Sequence, residues 1–199
     1  MTTDPRFARS SDSLAAAVLE LASARPVETI TVTEIARRAG VTRATFYNHA
    51  TSPESLLAHT LEVELDAIRT DFLVEFDAEP HAIETIWRAA ELDLIEHIER
   101  HAELYRIGLA PADGAHGSVL ADVLAGHIEA SLHTLAEASG APREGEAGTR
   151  FAMAAAFVSQ GTVGALRAWL QAPGPRDPQF AVDSILPLIP RMWFELAAS

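Results

Sequence analysis

The residues of this chain best suited to chemistry are a short run of hydrogen-bond donors, Thr42-Arg43-Ala44-Thr45-Phe46-Tyr47-Asn48-His49. An arginine can donate two parallel bonds to a guanine edge or one charged bond to a phosphate, and Arg43 can do either. The hydroxyls of Thr42, Thr45 and Tyr47 suit phosphate oxygens, as do the free amides of a helix N-terminus. Asn48 can read adenine or bond the backbone, and the sequence leaves both open. With Thr33 just upstream, Thr42, Arg43, Ala44, Thr45, Tyr47, Asn48 and His49 form a candidate DNA-contacting set. A short polar helix that merely faces water has the same composition, so the surrounding elements must decide. Phe46 differs from its neighbours and is expected in the core.

Thr31 and Glu34 fit a capping box, S/T-x-x-E, in which hydroxyl and carboxylate each take one orphan amide. Val32, Ile35, Ala36 and Ala39 fall at i, i+3, i+4 and i+7, one apolar helical face about two turns long. Gly40 stands where a left-handed C-terminal residue is wanted. Val41 follows as a core residue of the turn, and Thr42 can cap the next helix. Two short helices about so tight a turn describe a helix-turn-helix. Its second helix, roughly Arg43 to Ala50, is the one placed in a DNA major groove. Upstream, Leu14, Ala17, Val18 and Leu21 form another helical stripe, beginning after a cap region at Ser10–Asp12. Downstream, Ser52, Pro53 and Glu54 supply an N-cap, a first-turn proline and an acid for the helix dipole.

The pattern T-x-x-E-I-A-x-x-A-G-V-T-x-x-T-F-Y-x-H, Thr31 to His49, resembles the DNA-binding domain of the TetR family of bacterial transcriptional regulators. The resemblance covers about a third of the chain, and the remainder is similar only in its helical outline. It implies an all-α protein with a helix-turn-helix domain at 1–52 and a larger helical ligand-binding and dimerisation domain at 53–199. Two positions depart from the family pattern. Ala50 stands where an aromatic is usual, a loss of about 1–3 kcal/mol of packing if nothing refills the space. Pro53 stands where a lysine is usual, which removes one phosphate contact and about one unit of salt slope.

Charge is divided along the chain. The net charge is −13, yet residues 1–60 carry six Arg and six Asp or Glu, whereas residues 61–199 carry nine Arg and 22 Asp or Glu. An acidic body behind a neutral head is repelled from DNA and turns the head toward it; it also simply keeps the body soluble. Arg6 and Arg9 are either a basic arm able to reach DNA or part of a frayed terminus. Cysteine is absent, which rules out disulfides, thiolate metal sites and thiol nucleophiles. No apolar run follows a basic segment at the N-terminus, and the longest apolar stretch, near Phe151–Val158, is far short of a membrane span. A cytoplasmic protein is expected.

Beyond Pro53 the pattern is helical throughout. One helix over 53–77 carries Leu57, Leu61, Leu65, Ile68 and Phe72, and another over 80–101 carries Ile83, Ile86, Trp87, Ala90, Leu94 and Ile98. Gly108, Pro111, Gly114 and Gly117 mark a loop before a segment at 118–139, and a charged linker follows at 140–148. The last helices fall at 149–171 and 178–196, the latter to be split by Pro187 and Pro190. The 149–171 helix has two apolar sides and therefore needs two partners. Phe151, Ala155, Val158, Thr162, Leu166 and Trp169 form one; Phe157, Gly161, Gly164 and Ala168 form the other. The second side suits a twofold dimer, and the TetR resemblance implies pairing through the last two helices on a palindromic site.

His97, His101 and His127 lie on inward stripes, and three readings stand open. They are core histidines; or polar anchors of a small-molecule pocket walled by Phe72, Trp87 and Tyr105; or, for the i, i+4 pair, metal ligands that lack a third partner fixed by spacing. No metal or cofactor is assigned on this basis. His133 is expected to face solvent. No HExxH, G-x-S-x-G, phosphate loop or dinucleotide fingerprint occurs, so an enzyme is not expected. These readings converge on a ligand-responsive, homodimeric repressor released from a DNA operator by a small molecule. The alternative is a helical ligand- or metal-binding protein whose head no longer binds DNA.

Overall fold

The computed structural model describes residues 5–79, 82–110, 118–138 and 144–190. The described residues hold nine α-helices, with 3-10 turns at Val27–Thr29 and Leu186–Leu188 among the shorter elements: α1 Pro5–Ala22, α2 Val32–Ala39, α3 Arg43–Tyr47, α4 Pro53–Ala78, α5 Ile83–Arg100, α6 Ala102–Gly108, α7 Val119–Ala138, α8 Gly145–Gln171 and α9 Pro178–Ile185. The all-α class expected from periodicity is what the chain adopts. Two compact units share it. The first comprises Met1–Val63 with His101–Leu120, the second Glu64–Arg100 with Ala121–Ser199. These packing units divide the chain elsewhere than the functional division expected at 52/53.

In the first unit the local signals act as their chemistry dictates. The Thr31 hydroxyl accepts from the Glu34 amide at 3.2 Å, and a Glu34 carboxylate oxygen accepts from the Thr31 amide at 2.9 Å. Gly40 closes α2 at φ 69°, in the left-handed region that glycine occupies without Cβ strain. Ser52 caps α4 by accepting from the Ser55 amide at 3.2 Å. Leu14, Val18, Ile35, Phe46, Leu57 and Leu61 are buried, and α1 packs on α2, which packs on α3.

Two boundaries in this unit differ from expectation. Helix α1 begins at Pro5, not after Ser10–Asp12. Proline's fixed φ suits the first helical turn, and Arg9 donates to the Pro5 carbonyl at 3.1 Å, so Arg6 and Arg9 are helical. Helix α3 ends at Tyr47 rather than Ala50. The amides of Asn48 and His49 bond three residues back, to Thr45 and Phe46, which tightens the end into a turn.

The second unit has an apolar core drawn from α4, α5, α7, α8 and Ile189, with Phe72, Trp87, Leu135, Phe151 and Val158 among its residues. The expected inner stripe of α8, Phe151 to Trp169, is buried throughout. Helix α8 starts at Gly145, so the expected linker is already helical there; Glu146 complements the dipole and pairs with Arg150 at 2.8 Å. Helix α9 stops at Ile185 and a 3-10 turn carries Pro187, the predicted interruption. Arg88 joins α5 to α9 through Asp183 at 2.5 Å, and Arg176 ties the preceding loop to Glu99 at 2.8 Å. The chain also breaks at His101 into a separate short helix, α6, that periodicity did not suggest. Pro111, Gly114 and Gly117 of the expected loop, and the end of the last expected helix, lie outside the described residues.

Candidate functional site

The first candidate surface is the outer side of α2 and α3. Thr33, Thr42, Arg43, Ala44 and Asn48 are exposed, Tyr47 is 53% exposed, and Thr45 is half-buried. Phe46, fully buried, holds α3 down so that its neighbours face outward. Thr42 is spent on the cap, since its hydroxyl accepts from the Thr45 amide at 3.1 Å and meets the Thr45 hydroxyl at 2.9 Å. Arg38 pairs with Glu20 and Arg25 with Glu34. Arg37 and Arg43 are exposed and make no ion pair among the described residues. The Arg25 guanidinium, with the Thr31 amide and hydroxyl, holds the Glu34 carboxyl down at about 2.

His49 is placed differently from the rest of its run. Its ring stacks on Phe7 at 4.1 Å between centroids, and Nε2 lies 2.8 Å from the Ser10 hydroxyl. Burial pushes its imidazole below the usual histidine range. The contact fastens α1 to the end of α3 beside Ala50, where the TetR pattern has an aromatic. The aromatic partner of His49 is Phe7, a residue outside the motif.

The second candidate site is a cavity of about 70 Å³ in the second unit, walled by α4, α5 and α7. It brings together three of the six residues singled out for ligand binding: Phe72, Trp87 and His127. His97 is fully buried outside this lining, with Nδ1 3.3 Å from Glu64. His101 and Tyr105 belong to the first unit, where Tyr105 is a fully buried core residue and His101 is half-buried at the start of α6. His133 is half-buried, with 35% of its side chain exposed and its ring tilted 5.1 Å from Phe151.

Sequence reasoning passed over the most polar wall of this cavity. Glu91 is 7% exposed and lines it, with Arg69 and Ser131 nearby. Burial raises the Glu91 carboxyl to about 7, against a hydrogen bond from Trp87 that lowers it. Burial also lowers His127 to about 4, helped by the charge of Arg69 and opposed by Asp66. The signal for Glu91 was present: it follows Trp87 by four and precedes Leu94 by three, so a carboxylate sits on the apolar stripe of α5.

The third feature is the outer side of α8. Phe157 is 70% exposed and Gly161, Gly164 and Ala168 are exposed beside it, as is Met153 at 70%. A Cβ added at Gly161 or Gly164 meets nothing within 4 Å. Among the described residues, no helix is long and apolar enough to cross a membrane.

Residues 14–60 match the profile of the bacterial regulatory proteins of the tetR family. An uncharacterised HTH-type transcriptional regulator of Mycobacterium bovis is 30% identical over 141 residues, which cover 69% of this chain and 71% of the relative. Among solved structures, Thermus thermophilus FadR, a TetR family transcriptional repressor in complex with lauroyl-CoA, superposes with a TM-score of 0.61 at 21% identity, over 90% of this chain and 92% of that one. The fatty acid degradation regulator FadR of Bacillus halodurans gives 0.62 at 14% identity, over 95% and 96%. At such identities the structural likeness concerns the fold, and the family assignment rests on the head and on the mycobacterial relative. The chain therefore belongs to the TetR family of bacterial regulatory proteins, a helix-turn-helix transcriptional regulator and not an enzyme.

Proposed function

We propose that the chain is a cytoplasmic repressor that binds a palindromic operator as a homodimer and releases it when a small molecule enters the body. Residues 1–52 serve DNA reading; residues 53–199 serve ligand binding and dimerisation. The observation that carries this reading is the pairing of an exposed donor face on α3 with a partly polar cavity in the second unit. Thr33, Arg43, Ala44, Thr45, Tyr47 and Asn48 contact the duplex in this account. Arg43 supplies a base or phosphate contact, and Tyr47 a phosphate contact. His49 serves the same face by holding α3 against α1.

The exposed side of α8 at Phe157, Gly161, Gly164 and Ala168 supports dimerisation, since a wide apolar face on a lone helix is stable when a second copy covers it. A twofold dimer presents its two α3 helices to half-sites about one helical turn apart or slightly more. A ligand shifts such a dimer off DNA only through its differential affinity for the two states. That a repressor of the same fold binds lauroyl-CoA supports an effector site in the body. The test is titration of the purified chain against its own upstream DNA with nonspecific competitor, with sedimentation in parallel. Two chains per site and release by a small molecule are expected. Binding no tighter than to random DNA, across the flanking regions, overturns the reading.

A further inference from the structure

Resting on the effector reading above, we propose that the cavity takes a lipophilic primary ammonium, with Glu91 as its counter-ion and His127 as a second acceptor. The geometry argues from what each polar wall atom lacks. Glu91 is 7% exposed, and its Oε1 has no hydrogen-bond partner among the described residues. Its carboxylate otherwise receives only a bond from Trp87, one turn away on the same helix. His127, which lines the same cavity from α7, has a buried Nδ1 that is likewise without a partner among the described residues.

The donors on the walls are engaged only in part elsewhere. The Ser131 hydroxyl donates to the His127 carbonyl at 2.9 Å, and Arg69 is paired with Asp66 at 2.8 Å. An unpartnered carboxylate oxygen when Glu91 is ionised, and an unpartnered imidazole nitrogen that accepts in the Nε2–H tautomer of His127, on a small apolar space suit a ligand rich in donors. An ammonium group has three N–H donors and no acceptor. Trp87 and Phe72, ring centroids 6.4 Å apart, add aromatic surface that attracts a cation. In volume, about 70 Å³ is roughly half of a cavity that accepts benzene, so it suits an ammonium head and its first methylenes.

The charged and titratable groups on these walls are Glu91 on α5, His127 on α7, and Arg69 with its partner Asp66 on α4. At neutral pH the lowered imidazole is uncharged and offers a lone pair in its Nε2–H tautomer. The raised carboxyl titrates near 7, so a cation that binds the ionised acid displaces a proton from about half of the molecules. Affinity for the cation then rises with pH and levels off above 7.

The experiment is calorimetric titration of the full chain, without DNA, using n-hexylammonium, 1-hexanol and hexanoate at pH 6 and pH 8. Hexylammonium is expected to bind best, about tenfold more tightly at pH 8 than at pH 6 as the acid ionises. Glu91→Gln, which keeps the side-chain shape, is expected to remove both the preference and the pH dependence. Equal or tighter binding of hexanol or hexanoate overturns the proposal, as does a pH-independent affinity for the amine. Should the variant fail to fold, the wild-type series with three probes decides alone. Operator binding is scored separately. DNA binding without amine binding overturns only this proposal, whereas amine binding without operator binding overturns only the repressor reading.

Discussion

In the head, the side chains that cap the helices find their partners within three residues; in the body, the decisive polar ones are buried among helices distant in sequence. Thr31 with Glu34, Thr42 with Thr45, and Ser52 with Ser55 are each closed locally by hydrogen bonds of 2.9–3.2 Å. Glu91 and His127 instead line one cavity from α5 and α7, each with a buried polar atom that has no hydrogen-bond partner among the described residues. The contrast teaches where a regulator keeps its fixed and its variable chemistry. A reading head must present one rigid surface, so its polar groups are internally satisfied and its free donors point out. A body that senses a ligand, as proposed here, needs groups that stay unsatisfied until the ligand arrives.

The sharpest way to break the head's half of this contrast is at its anchor. Phe46 is fully buried, so Phe46→Ala is expected to cost about 3–5 kcal/mol, read by chemical denaturation. A loss below about 1 kcal/mol means that α3 is not pinned as described.

The body's half is tested by paired pH profiles. Glu91 is raised from 4.5 to about 7, so the folded state holds its proton longer; its contribution is complete below pH 4.5 and lost as pH rises to about 7. His127 is lowered from 6.5 to about 4, so the unfolded state protonates first; its contribution is complete above pH 6.5 and lost as pH falls to about 4. Each is worth on the order of 3 kcal/mol across its window, and the two oppose one another. Glu91→Gln should leave stability rising with pH between about 4 and 6.5, and His127→Gln should leave it falling between about 4.5 and 7. Profiles that match wild type in both variants remove the opposed pair.

The smallest stability effect belongs to the cap. Thr31→Ala removes the hydroxyl that accepts from Glu34 and is expected to cost about 0.5–2 kcal/mol, visible as a modest fall in melting temperature. A neutral result would show that Glu34, held by Arg25, caps α2 without it.

The same contrast explains which parts of the molecule could be read from sequence. The capping box, the Gly40 turn, the Phe46 anchor and the buried stripe of α8 are set by spacing within one element, and each is where the residues placed it. The early start of α1 at Pro5 was missed because the cap-like Ser10 and Asp12 look like a helix start, whereas Ser10 instead donates to the Phe7 carbonyl at 2.9 Å. The short α3 and the separate α6 depend on how a helix end is closed, which periodicity does not register. At the cavity, Phe72, Trp87 and His127 were legible as inward-facing, but Tyr105 and His101 belong to a different unit. Glu91 was overlooked because an acid is ordinarily assigned to a solvated face. An acid kept inside an apolar stripe is the more informative sign.

The central claim is that α3 reads DNA through Arg43, and one titration tests it most directly. Wild type and Arg43→Ala would be measured against upstream operator DNA and a random duplex at two salt concentrations. The account predicts saturable, salt-sensitive binding at two chains per operator, weakened by about 1–3 kcal/mol in the variant. Equal affinity of the two proteins for the operator would contradict the assignment of α3 as the recognition helix.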